Sequence, residues 1–182
     1  MNHSHPPPLL VLMRGLPGSG KSTVARELGR RLGWPVIDKD DVKDLLDGHA
    51  TGAGWLSYRV MLNIARSQLA LGLSVICDSP LTFASVYAEA EQVAAEWRAR
   101  LMVIGCECLD NELLRARIEG RSGSGLPSHH QTSWAGWQAA LPGWQEAMAY
   151  PIAAPLLTLD TARPLAQCVD EAAGWLMELP TA

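Results

Sequence analysis

An eight-residue run near the start of the chain, Gly15-Leu16-Pro17-Gly18-Ser19-Gly20-Lys21-Ser22, constrains this sequence more than any other stretch. Its spacing is G-x-x-x-x-G-K-[ST], that of a phosphate-binding loop. It lies between the apolar run Leu9–Met13 and a helical pattern opening at Lys21. Strand, loop and helix in that order gather backbone N–H groups and the positive end of a helix dipole around one anion. Glycine lets the backbone turn tightly and approach phosphate oxygens closely. The motif assigns Lys21 to the β- and γ-phosphates and the Ser22 hydroxyl to Mg²⁺. Gly15, Pro17, Gly18, Ser19, Gly20 and Thr23 complete the expected nucleotide contacts. The implied ligand is a nucleoside triphosphate.

The rest of the chain reads as one α/β domain built around that loop. A length of 182 residues supports a single domain with one substantial core, and 48% hydrophobic against 19% charged residues is a globular balance. Residues 1–8 read as a disordered N-terminal extension without the charged or apolar segment of a signal peptide, and residues 9–182 as the domain. A net charge of −4 and a pI near 5.7 argue against a basic face for long duplex nucleic acid. No run approaches the ~18 apolar residues of a membrane span. Cys77, Cys106, Cys108 and Cys168 lack the C-x-x-C spacing of zinc sites and read as reduced thiols of a cytoplasmic protein. The adjacent His129 and His130 point apart and read as loop surface.

Apolar runs alternate with helical patterns, which implies a mostly parallel sheet covered on both faces. Strands are expected at Leu9–Met13, Val36–Ile37, Ser74–Cys77, Leu101–Cys106 and Leu156–Leu159. Helices are expected at Lys21–Leu32, near Val42–Leu46, at Trp55–Leu71, Phe83–Arg100 and Asn111–Glu119. An interrupted helical stretch over Ser133–Met148 and a last helix from Pro164 to Leu179 complete the set. Leu56, Val60 and Ile64 mark one apolar stripe, and Phe83, Tyr87, Ala90, Ala94 and Trp97 another. Trp134, Trp137 and Trp144 read as core rather than as a stacking platform.

Open parallel sheets bind ligands beyond the carboxyl ends of their strands. Two of those ends carry acids here, Asp38-Lys39-Asp40-Asp41 and Asp78. Asp78 is expected beside the loop, where it would hold Mg²⁺ directly or through water, or contact an acceptor. One of Asp38, Asp40 and Asp41 would orient an acceptor hydroxyl and take its proton, leaving the others as helix cap and solvated charge. Arg115, Arg117 and Arg121 border the Gly/Ser-rich segment Gly120–Ser128. Arg117 and Arg121, four apart, would share a helix face and close over the phosphates as a flap.

These motifs resemble the small P-loop kinases of the nucleoside-monophosphate-kinase-like group. The closer resemblance is to the AAA_33 ATP-binding proteins, which include the kinase domain of polynucleotide kinases. Residues Gly15–Thr23 are typical of them, and Lys39-Asp40-Asp41-Val42-Lys43 is similar to their Arg-Asp-Asp-Tyr-Arg acceptor motif. Cys77-Asp78-Ser79 resembles their strand-three Ser-Asp-Thr, and Arg117 and Arg121 their paired lid arginines. The resemblance implies a three-layer α/β/α P-loop NTPase fold whose five-stranded parallel sheet has the order 2-3-1-4-5. It also implies a short arginine-bearing lid over about residues 115–132, Mg²⁺-ATP as donor, Asp40 as base and Lys43 near the acceptor. The chain departs from the polynucleotide kinases at Val42, where their motif has Tyr, and in its low basicity. The expected activity is therefore an ATP-dependent kinase acting on a hydroxyl of a small molecule. A 5′-hydroxyl polynucleotide kinase and a non-kinase ATP-binding switch are the alternatives. The sequence holds no Asn-Lys-x-Asp guanine-reading motif and no Asp-Glu pair after the third strand, which disfavours GTPase switches and AAA+ motors.

Overall fold

The computed structural model describes residues 6–120 and 133–178. Five strands form its sheet: β1 (Leu9–Arg14), β2 (Val36–Asp38), β3 (Val75–Asp78), β4 (Arg100–Glu107) and β5 (Leu156–Asp160). Their order is β2-β3-β1-β4-β5 and every neighbouring pair is parallel, as the resemblance implies. Central β1 is covered on both faces, which is why its apolar run does not alternate with polar residues. Helices α1 (Lys21–Leu32) and α7 (Leu165–Glu178) cover one face, setting Val24, Leu28, Val169 and Leu176 against Val11, Met13 and Ile104. Helices α3 (Ala53–Ala70) and α4 (Ala84–Glu96) cover the other, with Met61, Leu62 and Val93 over Leu10, Leu12 and Val75. Burying each of these large side chains contributes about 1.5–3 kcal/mol. Helices α2 (Lys39–Leu46), α5 (Asn111–Glu119) and α6 (Trp134–Ala147) lie among the connections that follow β2 and β4 or precede β5.

Several boundaries move, and the moves matter for the site. β2 and β3 each extend one residue further than the apolar run, so Asp38 and Asp78 are strand residues and sit opposite each other in register. α2 starts at Lys39, directly after its cap, rather than near Val42. α4 stops at Glu96 because Arg98 adopts φ 51°, and the Ala99 N–H turns back to the Ala94 carbonyl. Phe83 and Trp97 therefore fall outside the helix and stay exposed, and the buried face is Val86, Tyr87, Ala90, Val93 and Ala94. In α3 the buried stripe is Ser57, Met61 and Ala65 with Tyr58, Leu62 and Leu69, while Ile64 faces solvent. Apolar residues occupy nearly every side of that helix, so its period alone does not choose a face. α6 runs unbroken through Pro142, which removes one backbone hydrogen bond without ending the helix.

Cys77, Cys106 and Cys168 are buried free thiols and Cys108 is half-buried. Burial pushes the Cys77 thiol up to about 12, far from a reactive thiolate. Among the described residues no helix is long and apolar enough to cross a membrane.

Candidate active site

The loop between β1 and α1 leaves no room for side chains where its glycines stand. A Cβ on Gly15 (φ 151°) would lie 2.5 Å from the Cys106 carbonyl oxygen, and one on Gly18 (φ 89°) 2.7 Å from Leu114 Cδ1. The Ser19 N–H donates to the Leu16 carbonyl at 3.1 Å and closes the turn. Gly20 caps α1 in the left-handed conformation and has no side chain with which to occupy the donors of the first helical turn. Lys21 and Ser19 are both buried, at 9% and 3% exposure.

Two anchors hold this loop from outside. The first is Thr161, just past β5, whose Oγ1 lies 2.7 Å from the Ser19 carbonyl and 3.0 Å from the Glu107 carbonyl. Its N–H donates to the Glu107 carbonyl at 2.7 Å. Arg117 of α5 completes the knot, donating Nη1 to Thr161 Oγ1 at 3.0 Å and Nη2 to the Thr161 carbonyl at 2.8 Å. The second anchor is Trp137 of α6, whose Nε1 donates to the Pro17 carbonyl at 3.0 Å. Trp134 stacks on Trp137 at 5.1 Å and Trp144 meets it edge-on at 6.1 Å. The three tryptophans do pack as core, yet one of them also grips the loop. Nothing local in the sequence signals either anchor, because both partners lie more than a hundred residues from the loop.

Arg117 thus stands beside the loop rather than over it. With Gly18, Gly20, Thr23, Thr161 and Arg163 it lines a groove of about 390 Å³ along the loop's flank. Arg115 pairs with Glu119 at a solvated helix end. Arg121, most of the expected lid at 115–132, and the His129-His130 pair lie outside the described residues.

Asp78 is the most constrained acid of the site. It is 1% exposed, and both carboxylate oxygens are buried without a partner at hydrogen-bonding geometry. Burial pushes its carboxyl up to about 6. Lys21, a nearby Ser22 hydroxyl and Arg26 favour the ionised form, while the neighbouring Asp38 opposes it. An ionised carboxylate so placed is costly unless a cation shares the site. The donor set of Ser22 and Asp78 suits a divalent ion that takes most of its ligands from outside the protein. Among the described residues no three His, Cys, Asp or Glu side chains form an all-protein metal cage.

The acids after β2 separate into roles. Asp38 caps α2 by accepting from the Asp40 N–H at 2.9 Å and pairs with Arg26 at 3.2 Å. Asp41 is exposed, and partial burial together with Asp38 raises its carboxyl above the usual range. Asp40 is half-buried and pairs with Lys39, whose ammonium lies 5.4 Å from the centre of the Tyr58 ring. Tyr58 packs edge-on against Phe83 at 6.1 Å, so α2, α3 and the segment after β3 meet around this pair. Lys43 pairs with Asp47, the residue that caps the end of α2. Of the three acids, Asp38 caps α2, Asp41 is exposed and Asp40 is half-buried.

The pattern of the AAA domain family AAA_33 matches residues 10–141. The shikimate kinase of Paracidovorax citrulli (strain AAC00-1) is 64% identical over 36 residues, and that match spans 20% of this chain and 20% of the kinase. A gluconokinase from Sinorhizobium meliloti 1021 has the same fold at a TM-score of 0.63 and 21% identity, covering 94% of this chain and 93% of that one. The Mycobacterium tuberculosis APS kinase CysC, in complex with AMPPNP and APS, superposes at a TM-score of 0.64 and 20% identity, over 94% of this chain and 99% of that one. At such identities the likeness is one of fold. The chain belongs to the AAA_33 family and has the fold of the P-loop kinases.

Proposed function

We propose that this chain is a cytoplasmic kinase that moves the γ-phosphoryl group of ATP to a hydroxyl of a small-molecule acceptor. The observation that carries the reading is Asp78: a buried carboxylate with two unpartnered oxygens, beside Lys21 and Ser22, at the strand end next to the phosphate loop. The loop amides and Lys21 hold the phosphates, and Thr161 and Trp137 keep the loop in shape for them. Ser22 and Asp78 would hold Mg²⁺, which when bound neutralises phosphate charge. The groove beside Arg117 and Arg163 adjoins the loop, and its apolar Val24 and Leu165 suit the nucleoside end of ATP. Arg117, held on Thr161, flanks the loop as a fixed positive charge beside the phosphates.

Asp40 orients the acceptor hydroxyl and takes its proton. It pairs with Lys39 and directly follows β2, which supports that role. Similarity to a shikimate kinase and a gluconokinase supports a small acceptor rather than a nucleic acid end. The test is Asp40→Asn. Acceptor-dependent turnover should fall about 10²–10⁴-fold with ATP affinity nearly unchanged. Equal turnover would remove Asp40 from the base role.

A further inference from the structure

Asp78 ends β3, and the chain turns at once through Ser79, Pro80 and Leu81. Leu81 adopts φ 53°, the left-handed side that a leucine avoids, and it is fully buried. Backbone in that region persists only where its surroundings over-determine it. Two hydrogen bonds do so here. The Leu81 N–H donates to Ser79 Oγ at 3.2 Å, and the Leu81 carbonyl accepts from the Tyr150 hydroxyl at 2.6 Å. The same turn reaches the phosphate loop, because the Pro80 carbonyl accepts the Gly15 N–H at 3.3 Å.

Tyr150 lies just beyond α6, far along the chain from the turn it holds. Its ring is placed from the loop side. The guanidinium of Arg14, the residue before Gly15, lies 4.7 Å from the ring centre and also donates to the Met148 carbonyl. Tyr150 thus touches both chains that meet at the site: the one entering the phosphate loop, at Arg14, and the one leaving β3, at Leu81. Tyr87 offers a contrast. Its ring centre is 6.1 Å from that of Tyr150, but its hydroxyl accepts from the Ala153 and Ala154 N–H groups. We propose that Tyr150 is a positioning residue, which with Ser79 holds the strained Leu81 turn and so fixes the Asp78 carboxylate against the phosphate loop for a divalent cation. The proposal rests on the reading of Asp78 given above.

The test titrates a non-hydrolysable ATP analogue into the full chain with Mg²⁺ and with EDTA, and reads the ratio of the two affinities. Tyr150→Phe deletes only the hydroxyl and should lower that ratio about three- to tenfold, with affinity in EDTA nearly unchanged. A tyrosine that merely supports the fold would lower both affinities alike. Tyr87→Phe should leave the ratio at its wild-type value. Asp78→Asn should remove the Mg²⁺ preference, and adding Tyr150→Phe to it should lower the ratio no further. In the ligand-free chain the Gly15 amide should exchange hydrogen several-fold faster in Tyr150→Phe, with the Val11 amide of β1 unchanged. If Asp78→Asn loses the preference, then a wild-type ratio or unchanged Gly15 exchange in Tyr150→Phe, or an equal fall of the ratio in Tyr87→Phe, would overturn this proposal alone. A Mg²⁺ preference that survives Asp78→Asn would overturn it together with the reading on which it rests. If Tyr150→Phe does not fold, Ser79→Ala, which releases the Leu81 N–H in the same turn, is judged by the same ratio.

Discussion

Asp78→Asn should reveal that the buried acid opposes the stability of the ligand-free fold. Its carboxyl is raised from 3.8 to about 6, chiefly by burial. Between those values the folded chain holds a proton that the unfolded chain has released. Stability therefore falls as pH rises through that window, and the penalty is complete above it. The full penalty is about 3 kcal/mol, of which about 2 kcal/mol develops between about pH 4.5 and about pH 8. Asparagine does not titrate, so its own packing and hydrogen-bonding costs are the same at both pH values and cancel in the comparison. Denaturant unfolding of wild type and Asp78→Asn at both pH values measures the difference of differences. The variant should gain about 2 kcal/mol relative to wild type on going from the acid to the alkaline condition. A ligand that binds only the folded state at about 100 times its Kd adds about 2.7 kcal/mol, and Mg²⁺-ATP should restore that much to wild type and far less to the variant. A pH-independent offset between the two proteins would refute the claim that Asp78 is ionised at a stability cost to serve a cation.

Three further substitutions test the loop and its anchors. Trp137→Phe keeps an aromatic ring but deletes the Nε1 donor to Pro17, and should cost about 0.5–1.5 kcal/mol in denaturant stability while weakening nucleotide binding several-fold. Thr161→Val leaves the Arg117 guanidinium and the Ser19 carbonyl short of a partner and should cost about 1–3 kcal/mol by thermal unfolding, whereas Thr161→Ser should stay close to wild type. Gly18→Ala places a methyl group 2.7 Å from Leu114 at a positive φ, and equilibrium titration should show nucleotide affinity reduced at least tenfold.

The sheet was legible because its strands are mostly apolar runs ended by a turn or an acid, and the loop because its spacing is set by phosphate geometry. Asp78 could be placed for the same reason: a strand end next to the loop has few other uses for a carboxylate. Helix faces were less legible. The exposed positions of Ile64, Phe83 and Trp97 follow from where the chain leaves the sheet, and no local period encodes that. Which of Asp38, Asp40 and Asp41 caps α2 was not legible, since capping depends on where α2 begins and pairing on the position of Arg26. The hold of Thr161 and Trp137 on the loop depends on tertiary contact between distant segments.

The most direct measurement is ADP release from Mg²⁺-ATP across a panel of acceptors: nucleosides, nucleotides, sugars, aminoglycosides and 5′-hydroxyl oligonucleotides. A kinase of the kind proposed accelerates ADP release with one class of small hydroxyl compound, and the missing phosphate is recovered on that compound. Recovery on oligonucleotide ends alone would contradict the small-molecule reading. Tight ATP binding whose slow hydrolysis no acceptor stimulates would contradict phosphoryl transfer itself and leave a nucleotide-dependent switch.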